Sequence, residues 1–93
     1  MARVVVASAA RDDLDELIRS HSLPADTRER VKRSLRPLSR FPLVGGELHG
    51  RWRGHRFVLG PWRWLVIVYD YDEQKDRVRI LAFRDGRTAT ARR

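Results

Sequence analysis

The longest apolar run in the chain spans Trp62 to Tyr71 and reads Trp-Arg-Trp-Leu-Val-Ile-Val-Tyr-Asp-Tyr. β-Branched and aromatic residues dominate it. The Gly60-Pro61 breaker precedes it and the acidic turn Asp72-Glu73 follows, so the pattern predicts a strand. Apolar residues fall on both alternating faces, which predicts a central strand covered on both sides. Arg63 is the exception, a cation where a buried strand favours a hydrophobe.

The remaining pattern is built around that strand. Residues 3–7 form a short β-branched run and predict a first strand. A helix is expected from Ser8 to about His21 or Ser22. Ser8 would cap it, Asp12 and Asp13 would sit at the positive end of its dipole, and Leu14, Leu17, Ile18 and His21 would form its apolar stripe. A second helix is expected after Pro24, with Asp26 and Glu29 spaced as a capping box and Val31, Leu35 and Leu38 as the buried seam. Pro37 should kink or end it, because it lacks an N–H and disfavours helix at Arg36. Phe41-Pro42 closes the segment. Residues 43–54 are expected to be a glycine-containing loop. His55 to Leu59 reads as a strand, 72–76 as a polar hairpin loop, and Arg77 to Arg84 as the last strand. From about Arg87 no apolar periodicity remains, which predicts a mobile tail. The expected architecture is α+β: an N-terminal strand joined to the sheet edgewise, a two-helix hairpin on one face, and a three-stranded antiparallel meander.

Size and charge narrow the function. Ninety-three residues allow one domain with a modest core. Cysteine is absent, so disulfides and thiolate metal sites are excluded. His21, His49 and His55 show no metal-ligand spacing, and no cofactor is expected. No apolar run approaches the ~18 residues of a membrane span, and no signal peptide is evident, so a cytoplasmic protein is expected. Net charge is +8, and the basic residues are all arginine except Lys32 and Lys75. That balance suits a polyanion or an acidic protein partner, although a general arginine bias in composition would produce it too.

Three groups of residues carry candidate chemistry. Arg56, Arg63, Arg79, Arg84 and Arg87 could converge on the sheet face left free by the helices and grip phosphate. The alternative is that some of them are solvated edge residues or pair with Asp70, Asp72 and Asp85. Trp52, Trp62, Trp64, Phe57, Tyr69 and Tyr71 interleave with arginine, as in base-stacking surfaces. Most would be core; Trp52, in the loop, is the one best placed for exposure. For RNA cleavage a residue must take the 2′-hydroxyl proton, and His49, His55, Glu47, Asp85 and Tyr69 are the candidates by type. There is no Ser/His/Asp spacing, glycine-rich phosphate loop or paired catalytic carboxylate.

Leu48-His49-Gly50-Arg51-Trp52, Arg56, Gly60-Pro61-Trp62-Arg63, Val68-Tyr69, Arg79-Ile80-Leu81-Ala82-Phe83 and Gly86-Arg87 together resemble the RelE/ParE superfamily of toxins from bacterial type II toxin–antitoxin systems. Ser8 to Leu14 resembles the family's opening. The likeness spans nearly the whole chain in the family's order and implies a single toxin domain over 1–93, neutralised by a cognate antitoxin. It implies either a ribosome-dependent mRNA endoribonuclease that inhibits translation or, on the ParE branch, a DNA gyrase inhibitor without nuclease activity. A non-toxic basic nucleic-acid-binding module is the third reading. By this resemblance Arg63 matches a strand arginine that contacts substrate phosphate. Arg87 matches the arginine after the last strand, and Arg56, with His55 beside it, lies near a basic position of the preceding strand. These four are the expected catalytic residues, with Arg51, Trp52, Arg53 and Arg84 as nucleic-acid contacts. The tyrosine or histidine that ends such nucleases has no counterpart in Thr88 to Arg93, which leaves the proton-transfer group to His55 or His49.

Overall fold

A computed structural model describes residues 1–87, so most of the tail predicted to be mobile lies outside the described residues. The elements in chain order are β1 (Arg3–Val6), α1 (Ser8–Ser20), α2 (Thr27–Leu35), α3 (Pro37–Arg40), β2 (Gly46–Glu47), β3 (Arg56–Leu59), β4 (Leu65–Asp72) and β5 (Arg77–Asp85). They form one five-stranded sheet in the order β1-β5-β4-β3-β2. β1 runs parallel to β5, and every other pairing is antiparallel. As expected, β1 joins at an edge and the apolar run supplies the middle strand.

Four antiparallel strands follow the helices, rather than the three expected. The extra one is β2, where Gly46 pairs with Phe57 and Glu47 with Arg56. The central strand also starts later than its apolar run. Gly60 N–H donates to the Leu65 carbonyl at 2.8 Å and Leu65 N–H to the Trp62 carbonyl at 3.0 Å. Trp62, Arg63 and Trp64 are therefore the reversal between β3 and β4, not the first residues of the strand.

Helix packing follows the apolar spacing. Ala10 and Leu14 of α1, Val31 and Leu35 of α2 and Leu38 of α3 are buried against Leu65, Ile67 and Tyr69 of β4 and Val78, Ile80 and Phe83 of β5. Each large side chain removed from water there contributes about 1.5–3 kcal/mol. Pro37 ends α2 and opens α3, whose first position needs no N–H donor. The expected caps do not form: the N-cap positions are Ala7 and Asp26, and neither makes a side-chain cap. Asp26 instead accepts from Arg30 Nε at 3.0 Å, one turn along. Asp13 works differently from its expected role at the helix dipole. β1 stops opposite Ile80, and the Asp13 carboxylate then accepts the next free edge donor, Phe83 N–H, at 3.2 Å.

One irregularity fixes which residues share a face. The β4–β5 register shifts between Val68 and Tyr69, so Leu81 is an extra residue on β5. Ile80 and Phe83, three apart, both enter the core. Arg79 and Arg84, five apart, both point to the outer face, opposite Asp70 and Val66. A regular strand would have placed them on opposite sides.

Candidate nucleic-acid interface

The outer face has its own small centre. Val68 and Ala82 are buried there although they lie outside the core under the helices. Gly50 to Trp52 forms a 3₁₀ turn, entered through Gly50 at φ 68°, a conformation that suits glycine. That turn brings the Trp52 ring to within 5.8 Å of the Arg84 guanidinium, a cation–π contact. His55 meets the other side of the arrangement, edge-on to Trp52 with ring centroids 5.9 Å apart. Its Nδ1 lies 3.2 Å from the Trp52 carbonyl. A carbonyl only accepts, so Nδ1 carries the proton and the neutral ring keeps its lone pair on Nε2. Arg84, Arg51 and Arg53 are exposed and form no ion pair among the described residues. Free cations, an aromatic ring and a histidine with an available nitrogen thus meet on one face.

The five arginines expected to converge are divided. Arg56 lies opposite Tyr69, on the helix side of the sheet. Its guanidinium donates to the Gly45 carbonyl at 2.9 Å and reaches Glu47 at 3.4 Å. The Tyr69 hydroxyl accepts Gly45 N–H at 2.9 Å, and burial pushes its pKa up. Arg63 is exposed at the β3–β4 turn and forms no ion pair among the described residues. Arg79 forks onto Asp70 at 2.8 and 3.2 Å, the pairing alternative.

Arg87 is also engaged. Its Nε and Nη2 donate to the two oxygens of Asp85 at 3.1 and 3.0 Å, and its backbone N–H adds a third bond at 3.0 Å. These bonds hold the Asp85 carboxyl well below the usual carboxylate range, Arg87 making the largest contribution and His21 a smaller one. His21 Nε2 lies 3.0 Å from Asp85, and its other nitrogen meets the Ser20 hydroxyl at 2.9 Å. The His21 ring stacks on Trp64 at 5.0 Å, Trp64 stacks on Trp62 at 5.8 Å, and Arg30 caps Trp62 at 5.9 Å. The Arg87 guanidinium lies 4.8 Å from the Trp64 centroid. This cluster pins the ends of α1 and β5 to the β3–β4 turn. Sequence reasoning missed it. His21 had been read as part of an apolar stripe, and Asp85 only as one possible partner of an arginine.

No family model and no curated protein matches the sequence. Solved structures do. A chain of the toxin–antitoxin complex RelBE2 from Mycobacterium tuberculosis is 27% identical, with 90% of this chain and 96% of that one covered at a TM-score of 0.68. The chain belongs to the RelE/ParE superfamily of toxins. Two further RelE/ParE structures share its fold at lower identity. The YoeB/ParE toxin from Agrobacterium tumefaciens is 20% identical over 89% of this chain and 96% of its own, at a TM-score of 0.68. The isolated RelE toxin of E. coli is 17% identical over 99% and 98%, at 0.65. Among the described residues, no helix is long and apolar enough to cross a membrane.

Proposed function

We propose that this chain is the toxin of a type II toxin–antitoxin pair and that it cuts mRNA on the ribosome. The outer-face group of Arg84, Trp52 and His55 is the observation that carries the reading. RNA cleavage of this class needs phosphate binding, a surface for an unstacked base and a proton acceptor beside the 2′-hydroxyl. Arg84, with Arg51, Arg53 and Arg63 around it, supplies cations for the phosphate. Trp52 supplies a ring face. His55 Nε2 takes the 2′-hydroxyl proton as that oxygen attacks phosphorus, the bond to the 5′ oxygen breaks, and water protonates the leaving oxygen. Arg56 and Arg87 act in this reading by shaping the sheet edge and the end of β5, since both are held by internal partners. Cytoplasmic action and a neutralising antitoxin complete it.

The second reading is a gyrase inhibitor without nuclease activity. The engagement of Arg56 and Arg87 favours it, because two of the cations the resemblance assigns to catalysis are already partnered. Induced expression, followed by primer-extension mapping of mRNA and a gyrase supercoiling assay, separates the two. The nuclease reading expects discrete mRNA breaks with supercoiling unaffected. Intact mRNA with inhibited gyrase would reverse the assignment, and normal growth with neither effect would leave only a nucleic-acid-binding module.

A further inference from the structure

An apolar patch faces water just after α3. Phe41, Leu43 and Val44 are 58%, 53% and 61% exposed. With Pro42, Tyr71 and Glu73 they line a groove of about 510 Å³. The segment is held in shape: Phe41 N–H donates to the Pro37 carbonyl at 2.8 Å and Val44 N–H to the Phe41 carbonyl at 3.1 Å. The Ser39 hydroxyl and Ala2 tie α3 to the start of β1 at 2.9 and 2.8 Å. A contiguous exposed apolar surface on a preformed turn is characteristic of an interaction site.

The charges beside it define the occupant. Arg36 keeps helical dihedrals between α2 and α3, so the helical trace runs through it. Lys32, Arg36 and Arg40 recur every four residues along that trace and form one stripe leading to Phe41. The stripe is about 12 Å long at 1.5 Å per residue. All three are exposed, and none forms an ion pair among the described residues. A second copy of this chain would bring its own +8 charge and the same stripe against this one.

We propose that the Phe41–Val44 groove docks an acidic amphipathic segment of a separate protein. Its apolar side chains pack against Phe41, Val44 and Tyr71, and its carboxylates lie along Lys32, Arg36 and Arg40. The proposal rests on the toxin reading, in that this segment belongs to the neutralising protein. It places neutralisation apart from the Arg84–Trp52–His55 face.

The test titrates the purified products of the two reading frames that flank the gene onto the full chain. In parallel it measures mRNA cleavage with and without them. Leu43→Asp combined with Val44→Asp should weaken binding of the acidic product at least tenfold. That variant should cleave mRNA at the wild-type rate yet escape inhibition. Arg36→Glu combined with Arg40→Glu should weaken binding similarly and flatten its salt dependence. The charge pair is fully exposed, so it tests the surface even if the apolar variant fails to fold. Wild-type affinity in both variants would overturn the groove while leaving the toxin reading standing. Self-association of the wild type that the apolar variant abolishes would overturn it in favour of a second copy. Cleavage of mRNA by a wild-type chain that binds neither product would overturn the docking partner, and absence of both cleavage and binding would remove the toxin reading with it.

Discussion

Asp85 shows how one carboxylate organises the end of β5. It takes three bonds from Arg87 and one contact from His21, and His21 in turn stacks on Trp64. Its folded pKa is lowered, chiefly by Arg87. A depressed carboxylate contributes stability that is fully present above its unfolded pKa of about 3.9 and is lost as pH falls through the folded value. Asp85→Asn should therefore lower Tm at pH 7. The gap from the wild type should hold down to about pH 4 and close below it, as thermal melts across pH would show. A gap unchanged by pH would mean that the charge is not what matters there. None of this was legible from residue types, because the contacts join residues 64 positions apart in sequence. His55 was legible as a candidate, but the bond that leaves its Nε2 unprotonated depends on the 3₁₀ turn at Gly50 to Trp52.

Strands and helices were mostly readable, and the misreadings have identifiable causes. β2 is two residues, Gly46 and Glu47, with no β-branched or aromatic side chain to announce it. What makes it a strand is close approach. A Cβ on Gly45 would lie 2.5 Å from the Phe57 carbonyl oxygen and 2.7 Å from the Tyr69 hydroxyl. Gly45→Ala should thus be destabilising by about 1–3 kcal/mol, through overpacking and loss of the buried bond to Tyr69, as a denaturant titration would measure. An unchanged midpoint would show that β2 adjusts freely. Trp62 to Trp64 looked like strand because aromatic residues favour sheets. Their rings instead form a stack outside the ladder, between Arg30 and His21. The arginine faces were the hardest to foresee. An alternating pattern puts Arg79 and Arg84 on opposite sides, and the single extra residue at Leu81 brings them together.

Across the molecule, the surplus of arginine resolves into two kinds. Arg19, Arg28, Arg30, Arg56, Arg79 and Arg87 are spent on carboxylates within the chain. Arg51, Arg53, Arg63 and Arg84 remain for the outer face and the β3–β4 turn, and Lys32, Arg33, Arg36 and Arg40 for the helical side. One basic composition thereby serves two surfaces of different chemistry, phosphate on one and carboxylate on the other. The likeness to RelE/ParE toxins was readable in the sequence because its motifs are short, ordered and spread along the chain. The division of its arginines was not, because pairing is a property of register. The measurement that bears most directly on the account is the cleavage rate of ribosome-bound mRNA by the wild type and by His55→Ala, with folding checked by circular dichroism. Loss of a proton acceptor should slow cleavage about 10²–10⁴-fold while RNA binding persists. A folded His55→Ala chain that cleaves at the wild-type rate would contradict the account.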